Sequence, residues 1–138
     1  MPNHFKIIAI CAFCIIGLSS NSYSQPRLSH KDGRVVSNEE YARSIIKKAL
    51  ANSDCKSNKG FFSDTLVKSK AGAIKFAEKV AINIYGKDQI NGERPFDAFQ
   101  IDGWWYVAGT LPEDSLGGVF EIVFSAMNYH IIYIAHGK

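Results

Sequence analysis

The chain has 138 residues, 46% of them hydrophobic, with 16 Lys and Arg against 13 Asp and Glu and a net charge of +3. That is a one-domain length, enough to bury roughly 65% of its unfolded surface in one core. The near-balance of charge, with no basic block interleaved with aromatics, excludes the electrostatic footprint of a nucleic-acid binder.

The N-terminus reads as a secretory signal peptide. "MPNHFK" carries Lys6 and no acid, and an apolar run of twelve follows from Ile7 to Leu18. Twelve residues are too few for a span, which needs about 20. Small residues at Ser22 and Ser24 fit the −3 and −1 positions of a cleavage site after Ser24. Cys11 and Cys14 follow Ile10 and Phe13, where a lipoprotein would need a small residue. The expectation is removal of 1–24, a periplasmic location and no membrane span thereafter. Removal takes one charge, Lys6, and lowers the net charge from +3 to +2. It also leaves Cys55 without an internal disulfide partner, so packing alone must stabilise the mature domain. Cys55, in the polar stretch "NSDCKSNKG", reads as an incidental thiol.

Residues 25–37 are polar, hold Pro26 and Gly33, and read as a flexible arm or a leader strand. A single domain is expected over 38–138. Asn38 before Glu39 and Glu40 is a helix start, since an Asx side chain caps free N–H groups and acids favour the positive end of the dipole. Tyr41, Ala42, Ile45, Ile46, Ala49 and Leu50 recur at helical spacing, giving a helix over about 39–51. A second helix starts near Ser69, carries Ile74, Ala77, Val80, Ala81 and Ile84 as its apolar stripe, and stops at Gly86 as a left-handed cap.

From Asn91 the period changes to two. "RPFDAFQI", "WWYVAG", "VFEIVF" and "YHIIYIAH" read as strands, with Asp102-Gly103 as a hairpin turn and "TLPEDSLGG" as a connection. Helices followed by strands predict an α+β fold: N-terminal helices packed on a curved antiparallel sheet of about four strands.

The chemistry-bearing residues are few. No HxH, HxxxH or CxxC spacing exists, and His130 and His136 would stand about 20 Å apart on one strand at 3.3 Å per residue, so no metal or cofactor is expected. No GxSxG or phosphate-cradling glycine pattern exists either. Glu121 interrupts "VFEIVF" on the face of Val119 and Val123. It is a solvated side chain or a pocket carboxylate able to act as a general base. Asp97 poses the same choice. Trp104 and Trp105 point to opposite faces of one strand. Either one is a surface anchor for a partner, or a curled sheet buries both.

The stretch from residue 73 to 138 resembles the bacterial immunity proteins of the nuclear transport factor 2 fold, which are linked to polymorphic toxin systems. The resemblance rests on Ala77, Ala81, Ile84, Tyr85 and Gly86 in the second helix, "RPF" at 94–96 and "WYVAGTLP" at 105–112. "GGVFEI" at 117–122 and "AHGK" at 135–138 complete it, while "SAMNYH" departs from the turn usual in that family. The resemblance implies a non-enzymatic antidote that binds a cognate protein toxin, and a cone-like sheet wrapped by helices. Combined with export, it points to a toxin acting on cell wall or membrane. The candidate contact patch is Trp104, Trp105 and Tyr106 with the acidic turn Glu113–Asp114. The alternative is a small-molecule-binding or acid–base enzymatic cone in the periplasm, with Asp97 and Glu121 as its pocket residues. An open pocket holding either carboxylate favours that alternative. A third reading is a secreted envelope-binding module with no toxin.

Overall fold

The computed structural model describes residues 29–54 and 66–137. The expected leader and its expected cleavage site after Ser24, the first part of the expected arm and Cys55 lie outside the described residues.

The part of the expected arm that is described is ordered. β1 (Ser29–Lys31) and β2 (Arg34–Val36) form a hairpin across Asp32 and Gly33, both at positive φ. β2 also pairs with β5 (Leu111–Pro112), inside the connection that the sequence presented as strandless. Arg34 clamps this small sheet to the domain, its Nε donating to Thr110 Oγ1 at 2.7 Å and Nη2 to the Thr110 carbonyl at 2.8 Å. No apolar period announces the hairpin. It exists because its backbone finds partners on a distant segment.

α1 (Glu39–Asn52) starts as expected: Asn38 Oδ1 accepts from the Tyr41 N–H at 2.8 Å, and Ala42, Ile45, Ile46 and Ala49 are buried. Each buried isoleucine contributes about 1.5–3 kcal/mol. α2 (Lys70–Tyr85) is capped by Ser69 Oγ and fully buries only small residues, Ala73, Ala77 and Ala81. An alanine stripe at i, i+4, i+8 lets the helix axis approach the sheet closely. Gly86 ends α2 as expected, at a positive φ of 92° that favours glycine, though its ψ of 152° lies outside the left-handed helical region. It leads straight into a third, short helix, α3 (Lys87–Gly92), too brief to show a period in the sequence.

The main sheet is antiparallel, in the order β3 (Asp97–Ile101), β4 (Trp104–Ala108), β6 (Phe120–Ser125), β7 (Ile131–His136). Asp102 and Gly103 turn the first hairpin with both φ positive, as a two-residue Asp-Gly loop demands. The α+β antiparallel class is therefore as expected. The arrangement differs: the described residues form three helices and seven strands in two sheets, where the sequence predicts two helices and about four strands.

Helices cover both faces of the main sheet. Trp105, Val107, Phe120, Ile122 and Phe124 pack with the α2 alanines. Trp104, Tyr106 and Val123 pack with Ala42, Ile45 and Ile46 of α1. This two-sided cover decides the tryptophan question. Trp104 is 9% exposed and Trp105 4%, and the Trp105 indole N–H donates to the Val67 carbonyl at 3.0 Å.

Candidate functional site

Register places the polar side chains of the α1 face in one row. Asp97 stands opposite Ala108, Ala108 opposite Glu121, and Glu121 opposite Ala135. The next row is Phe99, Tyr106, Val123 and Tyr133. Alanines between carboxylates leave the first row short of side-chain volume. A cavity of about 240 Å³ opens there, and Val36, Tyr41, Leu111, Ser115, Gly118 and Glu121 are among its walls. The hairpin read as an arm thus forms one wall of this cavity.

Glu121 is the cavity's carboxylate. Tyr106 Oη donates to its Oε1 at 2.6 Å, and Tyr133 Oη reaches Oε2 at 3.4 Å. Since Tyr106 gives its proton to Glu121, the 3.1 Å contact with Ser37 Oγ has the serine as donor. Burial first, and then the Glu121 charge, push the phenols of Tyr41, Tyr106 and Tyr133 above their ordinary range. They stay neutral donors at any physiological pH. Asp97 lies in the same row but outside the cavity wall. Its Oδ2 accepts the Ser37 N–H at 2.9 Å. Burial raises its pKa, against the lowering pull of that N–H and of Lys70 and Lys31.

Two close backbone approaches shape the rim. A Cβ on Gly118 would stand 2.1 Å from Gly137 Cα, so only glycine lets β7's end reach that loop. A Cβ on Gly109 would stand 2.5 Å from Glu93 Oε2. Glu93 is 1% exposed and forms a second polar centre, which the sequence reading missed. It accepts from the Phe120 N–H at 2.8 Å and Gln89 Nε2 at 3.0 Å, and meets His136 Nε2 at 2.7 Å. His136 Nδ1 lies 2.7 Å from the Gly137 carbonyl. Both ring nitrogens face acceptors, which only the imidazolium satisfies. Burial lowers the His136 pKa, but the Glu93 hydrogen bond, the Gly137 carbonyl and the Glu93 charge outweigh it and the net shift is upward. Nothing in "NGERPF" distinguishes Glu93 from an ordinary loop acid.

The structure divides the expected contact patch. Trp104, Trp105 and Tyr106 are core, Tyr106 wholly so, and offer no surface to a partner. Glu113 and Asp114 are exposed, Glu113 meeting His30 Nδ1 at 2.9 Å, and Leu116 beside them is fully exposed. Glu121 is neither a plainly solvated side chain nor a core one. Among the described residues no group of His, Cys, Asp and Glu could hold a metal, and no helix is long and apolar enough to cross a membrane.

Residues 72–138, which hold most of α2, α3, the main sheet, Glu93 and Glu121, match the profile of the NTF2 fold immunity proteins, Imm-NTF2-2. The match covers a little under half of the chain. The match leaves out the hairpin and α1, so one wall of the cavity lies beyond the matched residues. An uncharacterized protein of Escherichia coli strain K12, YhhH, is 38% identical over 74 residues, which cover 53% of this chain and 58% of that protein. The chain thus aligns with little more than half of the curated relative's length. No solved structure matches the chain significantly.

Proposed function

We propose that this protein is an exported immunity protein, which binds a cognate bacterial toxin in the periplasm and neutralises it by occlusion. The observation that carries this reading is the family match over residues 72–138. The leader supports export, and export supports a toxin acting on cell wall or membrane, because a nuclease would have to be met in the cytoplasm. The role asks for no catalysis and no cofactor. With the tryptophans in the core, the contact surface falls to the 113–118 connection: Glu113 and Asp114 steer a basic cleft, and Leu116 supplies apolar contact. The test is a pull-down. Tagged mature protein is mixed with periplasmic and secreted extracts from its own strain and a competitor, and bound proteins are identified by mass spectrometry. A stoichiometric partner with a hydrolase-like domain is expected. No partner at any salt concentration overturns the reading.

The cavity holding Glu121 favours a second reading, a ligand-binding fold in the periplasm. With Tyr106 on one carboxylate oxygen and Tyr133 on the other, binding is better supported than general-base chemistry. A thermal-shift screen of small ligands tests it, and no shift with any ligand class removes it.

A further inference from the structure

Two carboxylates lie close to the same end of the main sheet, and their surroundings differ. Glu93 is enclosed and satisfied, with a backbone N–H, an amide and His136 around it. Glu121 faces an open cavity with neutral phenols as its partners. Among the described residues no Lys, Arg or His stands within ion-pair distance of it. A carboxylate drawn partly out of water is costly unless a counter-charge or several donors compensate it.

The cavity's size and walls narrow the occupant. At about 240 Å³ it is smaller than the roughly 300–1,000 Å³ sites that take drug-sized ligands. Val36 and Leu111 give it apolar sides, Gly117 and Gly118 bring backbone close, and Tyr41 contributes an aromatic ring. An anion would be repelled by Glu121. A purely apolar guest would strip water from the carboxylate and return nothing. A flat or compact organic cation meets both demands: a charge-assisted hydrogen bond to the carboxylate and attraction to a tyrosine ring.

We propose that this cavity binds an organic cation, a guanidinium or primary ammonium group, with Glu121 as its counter-charge and Tyr41 as its aromatic wall. The site goes beyond the toxin reading and does not rest on it. Two carriers share the chemistry: an arginine or lysine side chain of a partner protein, and a free small amine.

The experiment is calorimetric titration of the full-length chain with three probes. Agmatine is the free cation, acetyl-Gly-Arg-Gly-amide the side-chain form, and the same peptide with citrulline the uncharged control. Agmatine or the arginine peptide binds, and the citrulline peptide does not. Glu121→Gln weakens binding at least tenfold with its melting temperature preserved. Ser115→Arg, at an exposed position on the cavity wall, places a guanidinium in cis and also weakens binding. It carries the test should the first variant fail to fold. Arginine-peptide binding at least as tight as agmatine assigns the site to a partner's side chain; binding of agmatine alone assigns it to a free amine. No binding of either cation, or affinity unchanged in a folded variant, overturns the proposal. A failed titration leaves the toxin reading standing, and a failed pull-down leaves this one.

Discussion

The two faces of the main sheet are built from the same strands and do different work. The α2 face is apolar across its middle: Ala98, Val107, Ile122 and Ile134 form one row, and Trp105, Phe124 and Ile131 continue the next from Gln100, while His136 stands opposite Phe120 at one end. The α1 face is graded. Ile101 and Trp104 start it, Phe99, Tyr106, Val123 and Tyr133 follow, and the last row alternates Asp97 and Glu121 with alanines. Alternation along a strand fixes which residues share a face. Only register fixes which of them share a row. One face is therefore core over its central rows, while the other runs from core to cavity along a single pleat.

The largest effect expected from this contrast is on the α2 face. Phe120 is fully buried and packs edge-on to Phe96 at 5.2 Å. Phe120→Ala should cost about 3–5 kcal/mol in chemical denaturation. A loss below 1 kcal/mol would mean that this face is not the close-packed one. At the cavity rim, Gly118→Ala forces a methyl against the Gly137 backbone. It should cost about 1–3 kcal/mol, and a neutral result would show that the rim can open freely. Tyr106→Phe keeps the ring and removes the hydroxyl between Ser37 and Glu121. A loss of about 1–2 kcal/mol is expected, the cost of a buried partner left unmet. The same substitution should leave the α2 face untouched, so hydrogen-exchange protection at Ile122 and Phe124 should fall only by the global amount.

His136 sharpens the contrast by pH. Its folded pKa is raised above the ordinary 6.5, so the folded state holds the proton more tightly than the unfolded chain does. Its contribution is complete below about 6.5 and is lost as pH rises through the folded value. The melting temperature should therefore fall between pH 6 and pH 8.5 more steeply in the wild type than in His136→Gln. Equal slopes would mean that the Glu93 contact adds nothing.

The two long helices and the main strands were legible because each shows its own period: Ala42, Ile45, Ile46 and Ala49 at helical spacing, and Phe120, Ile122 and Phe124 at spacing two. The Asp102-Gly103 turn was legible from its dipeptide alone. What the sequence hid depends on contacts between distant segments. The 29–36 hairpin owes its place to Thr110 and Leu111, some 75 residues away. Glu93 owes its burial to Phe120 and His136. The Glu121 site needs Tyr41 from a helix and Tyr133 from another strand, and no spacing rule links the three. Trp104 and Trp105 misled for the same reason. Opposite faces imply one exposed ring only when one face is bare, and here a helix covers each.

The smallest expected effect on stability is also the most direct test of where a partner binds. Leu116 lies on the 113–118 connection with its side chain wholly in water, flanked by Ser115 and Gly117 of the cavity wall. Leu116→Asp removes no packed contact, so unfolding free energy should stay within about 0.5 kcal/mol of wild type. A large apolar side chain held in water is a cost that folding does not recover, and a partner's surface would recover it. The variant should therefore keep its melting temperature and lose affinity for a partner captured in the pull-down by tenfold or more. Equal affinity would move the contact surface off this connection. With the α2 face closed by its helix, the rim around the Glu121 cavity would then be the next place to probe.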